Sequence, residues 1–179
     1  ARLYDQGIRL ARAHGVLMPA LEGHFMAGVN LTGKGDYDAA LAILQEGLAL
    51  AEKVGDENYT PRSLNSLGWL YAEGGALDRA YELNRLAAEQ ARRRGDHEMI
   101  ANAVLNLADI LLQRGDLALA FELLESVQGL IEDPANSGWM RWRYSLHLYA
   151  SLADHAVARG AWDEARAQAE RCLAAAVKT

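Results

Sequence analysis

Apolar residues recur at helical spacing along the chain, and short glycine turns interrupt them at regular intervals. Between residues 60 and 73 they follow the i, i+3, i+6, i+7 spacing of one helix face, at Leu64, Leu67, Leu70 and Tyr71. Gly74-Gly75 then breaks the pattern, because glycine adopts left-handed backbone conformations without a Cβ clash. A second apolar stripe follows and ends near Gly95-Asp96. The segment therefore predicts two helices joined by a tight turn, the first capped by Thr60 with Pro61 at its first position.

The same pattern returns at a period of 40 residues. The turn sequences that match are Gly35-Asp36-Tyr37-Asp38-Ala39-Ala40, Gly75-Ala76-Leu77-Asp78-Arg79-Ala80 and Gly115-Asp116-Leu117-Ala118-Leu119-Ala120. A small residue stands seven positions before each turn glycine, at Gly28, Gly68 and Ala108. We expect these small residues to let the two helices of each pair approach closely. A fourth copy, Gly160-Ala161-Trp162-Asp163, follows after 45 residues because the connector at residues 133–138 is longer.

The repeats divide the chain into five segments of one predicted solenoid domain. Residues 1–19 parallel the second helix of a repeat whose first helix is absent, so we interpret the chain as a piece of a longer array. The repeats themselves occupy residues 20–59, 60–99, 100–144 with the connector insertion, and 145–179. Two helices in each repeat and one before them predict about nine helices in all.

These repeats resemble the tetratricopeptide repeat (TPR). The resemblance rests on the small residue, the Leu or Tyr three positions later (Leu31, Tyr71, Leu111), the glycine turn and the alanine five residues after the turn glycine. It implies an all-α, right-handed superhelix of antiparallel helix pairs that acts as a protein–protein interaction scaffold. The 40-residue form, with its Leu50-to-Asp56 ending, resembles the repeats of large bacterial signalling ATPases. These include adenylate-cyclase-like proteins and maltose-regulator-type transcription activators, so the resemblance implies a role in signalling or transcription regulation.

The composition agrees with an all-α fold and argues against nucleic-acid-binding and membrane proteins. Alanine and leucine, which are strong helix formers, account for 33 and 28 of the 179 residues. The net charge of −6 argues against a general nucleic-acid binder. No apolar run is long enough to span a membrane, and the single cysteine, Cys172, suits a reducing compartment. We therefore expect a cytoplasmic protein without membrane contact.

No residue pattern indicates an enzyme. Gly28 to Gly35 has the G-x-x-x-x-G-K frame of a phosphate-binding loop, but Lys34 is followed by glycine where serine or threonine is needed to hold magnesium. The five histidines lack metal-binding spacing, and His24 falls at a packing position of the repeat. Cys172 also falls at a small packing position. We predict no catalytic, metal-binding or cofactor-binding residue and no cofactor.

The strongest functional signal is the position of polar and aromatic residues on the first helix of each repeat. Side chains six and three residues before the small residue, and one and four after it, are expected to line the concave groove of a solenoid. With their neighbours, these candidate groove residues are Glu22, Phe25, Arg62, Asn65, Trp69, Glu73, Asn102, Asn106, Asp109, Gln113 and His147. The four positions of the last repeat are His147, Ala150, Asp154 and Val157.

A second candidate surface is an aromatic–basic patch just after the long connector. Its residues are Trp139, Arg141, Trp142, Arg143 and Tyr144. Alternating aromatic and basic residues of this kind have three interpretations: packing within the fold, contact with a protein partner, or binding of nucleic acid. In the last case the rings stack on bases and the arginines neutralise phosphates. The acidic net charge makes nucleic acid the least favoured of the three.

The sequence thus predicts a non-enzymatic scaffold that binds a peptide segment or a neighbouring domain of its parent protein in the groove. Two alternatives remain. One is self-association through the apolar edge that the truncated first repeat exposes. The other, less favoured, is a nucleic-acid-binding module that uses Arg141 and Arg143.

Overall fold

The computed structural model describes residues 2–177, without the side chains of Arg2 and Asp5. Every regular element in that range is an α-helix, and nine are present, which confirms the predicted all-α class. They are α1 (Arg2–Ala13), α2 (Leu17–Gly33), α3 (Tyr37–Val54), α4 (Tyr59–Glu73), α5 (Leu77–Arg94), α6 (His97–Arg114), α7 (Leu117–Glu132), α8 (Gly138–Ala158) and α9 (Trp162–Val177). None of these described helices is both long and apolar enough to cross a membrane.

The chain forms two compact units, Ala1–Gln90 and Ala91–Thr179, which divide within α5. In the first unit α2 packs against α1, α3 and α4, and α3 also packs against α4. In the second unit α8 packs against α6, α7 and α9, and α6 also packs against α7. In each unit, two first helices of successive repeats therefore lie side by side: α2 with α4, and α6 with α8.

Glycine turns end the helices where the sequence predicts them. Gly115 has φ +82°, in the left-handed region, and its N–H donates to Leu112 O at 3.0 Å. The N–H of Asp116 then donates to Leu111 O at 2.9 Å, which completes the cap. The turn glycines of the other repeats, Gly35, Gly75 and Gly160, also have positive φ.

The predicted N-cap of α4 is wrong. The helix begins at Tyr59, one residue before Thr60, and Asn58 at its N-cap position makes no side-chain cap hydrogen bond. Asp56, in the turn before it, accepts from the first N–H groups instead. Its Oδ1 accepts hydrogen bonds from the N–H groups of Asn58 and Tyr59 at 3.0 and 2.7 Å, whereas Thr60 Oγ1 donates back to Asp56 O. A carboxylate accepts from several free N–H groups at a helix start, so Asp56 serves there better than one hydroxyl.

The small residues of the repeat lie at close helix–helix contacts, as predicted. A Cβ added to Gly28 would collide with the Leu44 side chain, and one added to Gly68 would collide with Asn84. Leu44, Asn84 and Leu124 stand at the same repeat position, 16 residues after the small residue, and each is at most 1% exposed. The same buried position of the repeat thus holds leucine in two repeats and asparagine in one.

The predicted repeat boundaries fall a few residues inside the first helices. The offset is greatest for the fourth repeat, because α8 begins at Gly138 and runs through the boundary predicted at residue 145. Ser137 Oγ caps this helix by accepting from Met140 N at 3.1 Å. The aromatic–basic patch therefore forms the first turns of α8.

Candidate functional site

The candidate groove residues all lie on the first helices of the repeats. Glu22 and Phe25 are on α2; Arg62, Asn65, Trp69 and Glu73 on α4; Asn102, Asn106, Asp109 and Gln113 on α6; and His147 on α8. Most are exposed or half-buried, but Asn65 is not.

In the second unit, three of them converge on one open pocket between α6 and α8. The pocket has a volume of about 410 Å³ and is lined by Asp109, Leu112, Gln113, His147, Ala150, Ser151, Asp154 and Ala158. Of these, Asp109, Gln113 and His147 are candidate groove residues, and Asp154 stands at the same repeat position as Asp109. Ser151 was missed, although it lies four residues after His147 and so on the same side of the helix.

Asp109 is the centre of the hydrogen bonding in this pocket. Its Oδ2 lies 2.7 Å from His147 Nε2, and its Oδ1 accepts from Ser151 Oγ at 2.6 Å. The serine hydroxyl donates to the carboxylate and not to the imidazole. The three side chains therefore lack the serine–histidine hydrogen bond that activates a nucleophile. What they do form is a carboxylate held in a fixed orientation at the surface.

Asp154 adds a second carboxylate to the pocket. Partial desolvation in the pocket wall and, secondarily, the charge of Asp109 raise the pKa of Asp154 above its usual value. Within residues 2–177 Asp154 makes no hydrogen bond or ion pair. Because like charges lie on both walls of the pocket, negative charge is concentrated there without a compensating lysine or arginine in the lining.

The corresponding face of the first unit is aromatic. Phe25 meets the ring of Tyr59 edge-on at 6.4 Å between ring centroids. Trp69 is half-buried and its Nε1–H donates to Glu73 Oε1 at 3.0 Å. Arg62 Nε donates to Asn58 Oδ1 at 3.2 Å along the same helix. This face offers ring surface with a few polar groups around it.

Asn65 is a correction to the predicted groove. It is only 4% exposed, and its Nδ2 donates to Asn84 Oδ1 at 2.6 Å. Asn84, fully buried, in turn donates to Ala80 O at 2.9 Å. Repeat position placed Asn65 in the groove, but an asparagine on the paired helix draws its amide into the α4–α5 contact instead.

The aromatic–basic patch is only partly exposed. Trp139 is 58% exposed and Tyr144 is 5% exposed, and the rings of Trp139 and Trp142 lie 5.4 Å apart. Arg141 and Trp142 help to line a second open pocket of about 620 Å³, together with Glu132, Gly138, Ser145, Tyr149 and Ala175. Arg171 lies 4.1 Å from the Tyr149 ring centroid and 3.1 Å from Glu132 Oε1. The Glu132 carboxylate of this pocket is thus paired with Arg171.

Two further residues considered in the sequence, His24 and Cys172, contact neighbouring helices. His24 is 1% exposed and its Nε2 lies 3.0 Å from Arg12 Nη2, which agrees with the predicted packing role. Cys172 is half-buried and its Sγ lies 3.5 Å from Leu146 O. Over the described range, no three His, Cys, Asp or Glu side chains are grouped so that they could hold a metal ion.

The repeats have counterparts among known families and structures. The tetratricopeptide repeat model matches residues 20–92. Among curated proteins, none matches this chain. The fold matches BtubC (BKLC) from P. vanneervenii with a TM-score of 0.75 at 20% identity, over 99% of this chain and 72% of that one.

Two further matches are structures of a Podosopora anserina protein described as a kinesin light chain with nearly identical TPR-like repeats. A variant of that protein matches with a TM-score of 0.67 at 20% identity, over 99% of this chain and 85% of the other. A second structure matches with a TM-score of 0.62 at 18% identity, over 99% and 95%. This chain therefore has the all-α fold of TPR-like solenoid proteins, and its residues 20–92 match the tetratricopeptide repeat itself.

Proposed function

We propose that the chain is a non-enzymatic interaction module that binds an extended protein segment on the exposed face of its first helices. TPR-like repeats generally mediate protein–protein interactions and are typically non-catalytic scaffolds. The observation that carries the proposal is the pocket between α6 and α8. Three residues chosen by repeat position alone, Asp109, Gln113 and His147, come together in it.

The first unit supports the same proposal with different chemistry. Trp69 and Phe25 present partly exposed rings on α4 and α2. Aromatic side chains are enriched in the cores of protein interfaces, because they supply a large contact area at small entropic cost. A segment that contacts these rings would gain most of its affinity there.

The parent protein is proposed from the form of the repeats. Their 40-residue period supports a larger bacterial, cytoplasmic regulator or signalling ATPase, in which the bound segment belongs to a neighbouring domain. The α-solenoid then acts as the scaffold that couples the bound segment to the other domains.

Self-association is the second candidate, and exposed apolar side chains on the terminal helices favour it. On α1, Leu3 and Leu10 are 83% and 61% exposed, and on α9, Trp162 and Leu173 are 67% and 66% exposed. Apolar surface of this kind marks contact sites in many proteins. Light scattering over a wide concentration range tests this candidate, and a monomer throughout would refute it.

The peptide-binding proposal is tested by selecting displayed random peptides on the purified chain and measuring their affinities for variants. Trp69→Ala and Asp109→Ala should each weaken a class of selected peptides about tenfold or more, as loss of a central contact does. Glu122→Gln changes an exposed residue of α7, outside the pocket, and should have no effect. Peptides that bind all variants equally, or a selection that yields none, would contradict the proposal.

A further inference from the structure

The pocket between α6 and α8 combines an apolar wall with two carboxylates, and this combination suits one kind of side chain. Resting on the proposed function, we propose that it receives a lysine or arginine side chain of the bound segment, with Asp109 and Asp154 as its anionic partners. The apolar residues and the two carboxylates line the same open pocket of about 410 Å³, which has room for such a side chain together with water.

The apolar wall fits the stem of a basic side chain. Leu112, Ala150 and Ala158 line the pocket, and each is exposed or half-buried. Lysine and arginine bury their methylene groups along apolar surface and keep the charged head at a polar group or in water. An acidic side chain would place like charge beside two carboxylates, and a purely apolar one would desolvate them without compensation.

Asp109 is ready to accept a cation. His147 and Ser151 occupy one direction on each of its two oxygens and hold the carboxylate in place. Each carboxylate oxygen has two lone pairs, so each accepts one further hydrogen bond. Because Ser151 is 2% exposed and fixed in the core, the acceptor needs no reordering when a donor arrives.

Asp154 supplies a charge that the described chain does not balance. Partial desolvation and the neighbouring Asp109 raise the pKa of Asp154, which means that its ionised form is disfavoured at this place. A cation between the two carboxylates would relieve that repulsion. The net charge of −6 also favours the approach of a basic segment over an acidic one.

The experiment uses the ¹⁵N-labelled chain and four pools of blocked nonapeptides. The pools share flanks of glycine, alanine, serine and asparagine, and they differ at the central residue: lysine or arginine, glutamate, leucine, or serine. Backbone amide shifts of Asp109, Ala150 and Asp154 report binding. We expect the basic pool to bind about tenfold or more tighter than the glutamate pool, as for a charge pair in a partly desolvated site.

Variants then test the carboxylates. Asp109→Asn with Asp154→Asn should weaken the basic pool about tenfold. The control is Glu122→Gln with Glu125→Gln, two exposed residues of α7 outside the pocket, which makes the same change of net charge from −6 to −4. This control should leave binding unchanged. Asp154→Lys, at an exposed residue, keeps the test valid if the double variant unfolds, and it should abolish binding of the basic pool.

The outcomes separate this inference from the function on which it rests. Equal binding of all four pools at these amides, or equal weakening by the α7 control, would overturn the basic-side-chain assignment and leave a segment-binding face intact. Tighter binding of the glutamate or leucine pool would do the same. If no pool shifts any amide on α2, α4, α6 or α8, both proposals fail together.

Discussion

The second and third helix pairs, α4–α5 and α6–α7, follow the same repeat pattern but carry different residues at two buried positions and one groove position. At the two buried positions the second pair has Asn65 and Asn84, whereas the third has Leu105 and Leu124, both fully buried. At the groove position that follows the small residue, the second pair has Trp69 and the third has Asp109.

The difference separates what builds the frame from what gives each repeat its chemistry. The frame depends on the small residues and on turn glycines such as Gly75 and Gly115, which are common to both pairs. Asparagine and leucine have similar size, so either fits beside the small residue, but asparagine also needs a hydrogen-bond partner. The groove position carries no such constraint, and there the repeats vary freely between a ring and a carboxylate.

The largest effect is expected when a polar residue is placed in the apolar pair. Leu124→Asn buries an amide where the third pair has no asparagine at position 105, and it should destabilise the protein by about 3 kcal/mol. Chemical denaturation measures the change. Leu119→Asn, on the same helix but 43% exposed, is the matched control and should cost less than about 0.5 kcal/mol. A loss at Leu124 as small as the loss at Leu119 would mean that the buried position tolerates either residue type.

A smaller effect is expected when the asparagine pair is split. Asn84→Leu removes the Oδ1 that accepts from Asn65 Nδ2 and should cost about 2 kcal/mol, because the buried Asn65 amide loses this hydrogen bond. Asn65→Leu with Asn84→Leu makes the second pair like the third, and it should restore the stability of the original chain or exceed it. A double variant as unstable as the sum of the single ones would show that the two amides do not act together.

Each compact unit also contains a buried histidine, His24 or His155, and acid should destabilise both. Burial, followed by Arg12 for His24 and Arg159 for His155, lowers the pKa of each, against weaker opposing effects of Glu46 and Glu164. The stability that each neutral histidine contributes is thus fully present above its pKa in the unfolded chain, about 6.5. It is lost as the pH falls from there towards the pKa in the folded protein.

The expected loss is about 1.4 kcal/mol for each unit by which a histidine pKa is lowered. His24→Leu places the residue found at the same position of the next repeat, Leu64. It should remove the part of the acid-induced loss of stability that His24 causes. Denaturation at about pH 7 and about pH 5 measures it, and His155→Leu provides the same test for the second unit. An unchanged difference between the two pH values would contradict a buried, neutral His24.

The smallest effect concerns salt, and it distinguishes the two groove faces. Between about 0.05 M and about 0.5 M salt, binding of lysine- or arginine-centred peptides at Asp109 should weaken about threefold, because exposed charges are screened. Peptides whose binding depends on Trp69 should keep their affinity, because contact with a ring depends little on ionic strength. Equal salt dependence of both classes would remove the distinction between the faces.

Local pattern was enough to predict the helices and the turn glycines, because each depends on neighbours in the sequence. The small contact residues were predicted because they recur at the same position of each repeat. Asn65 was misplaced because its surroundings are decided by Asn84, 19 residues away, which no periodic pattern reveals. Asp56 took the place of Thr60 as the acceptor for the first N–H groups for a similar reason, since the exact start of α4 depends on how the preceding turn ends. The position in the repeat predicted both Asp109 and His147 on the groove face, but it could not predict the hydrogen bond between them.

The asparagine pair also has a consequence for how the chain finds its fold. An array of similar repeats can pair a first helix with the wrong second helix, and such mispairing is a characteristic failure of repeat proteins. If α4 docked on α7, Asn65 would meet Leu124 and its Nδ2 would lose the acceptor that Asn84 provides. The asparagine pair thus marks α4 and α5 as each other's partners, as a lone asparagine sets the alignment of a coiled coil.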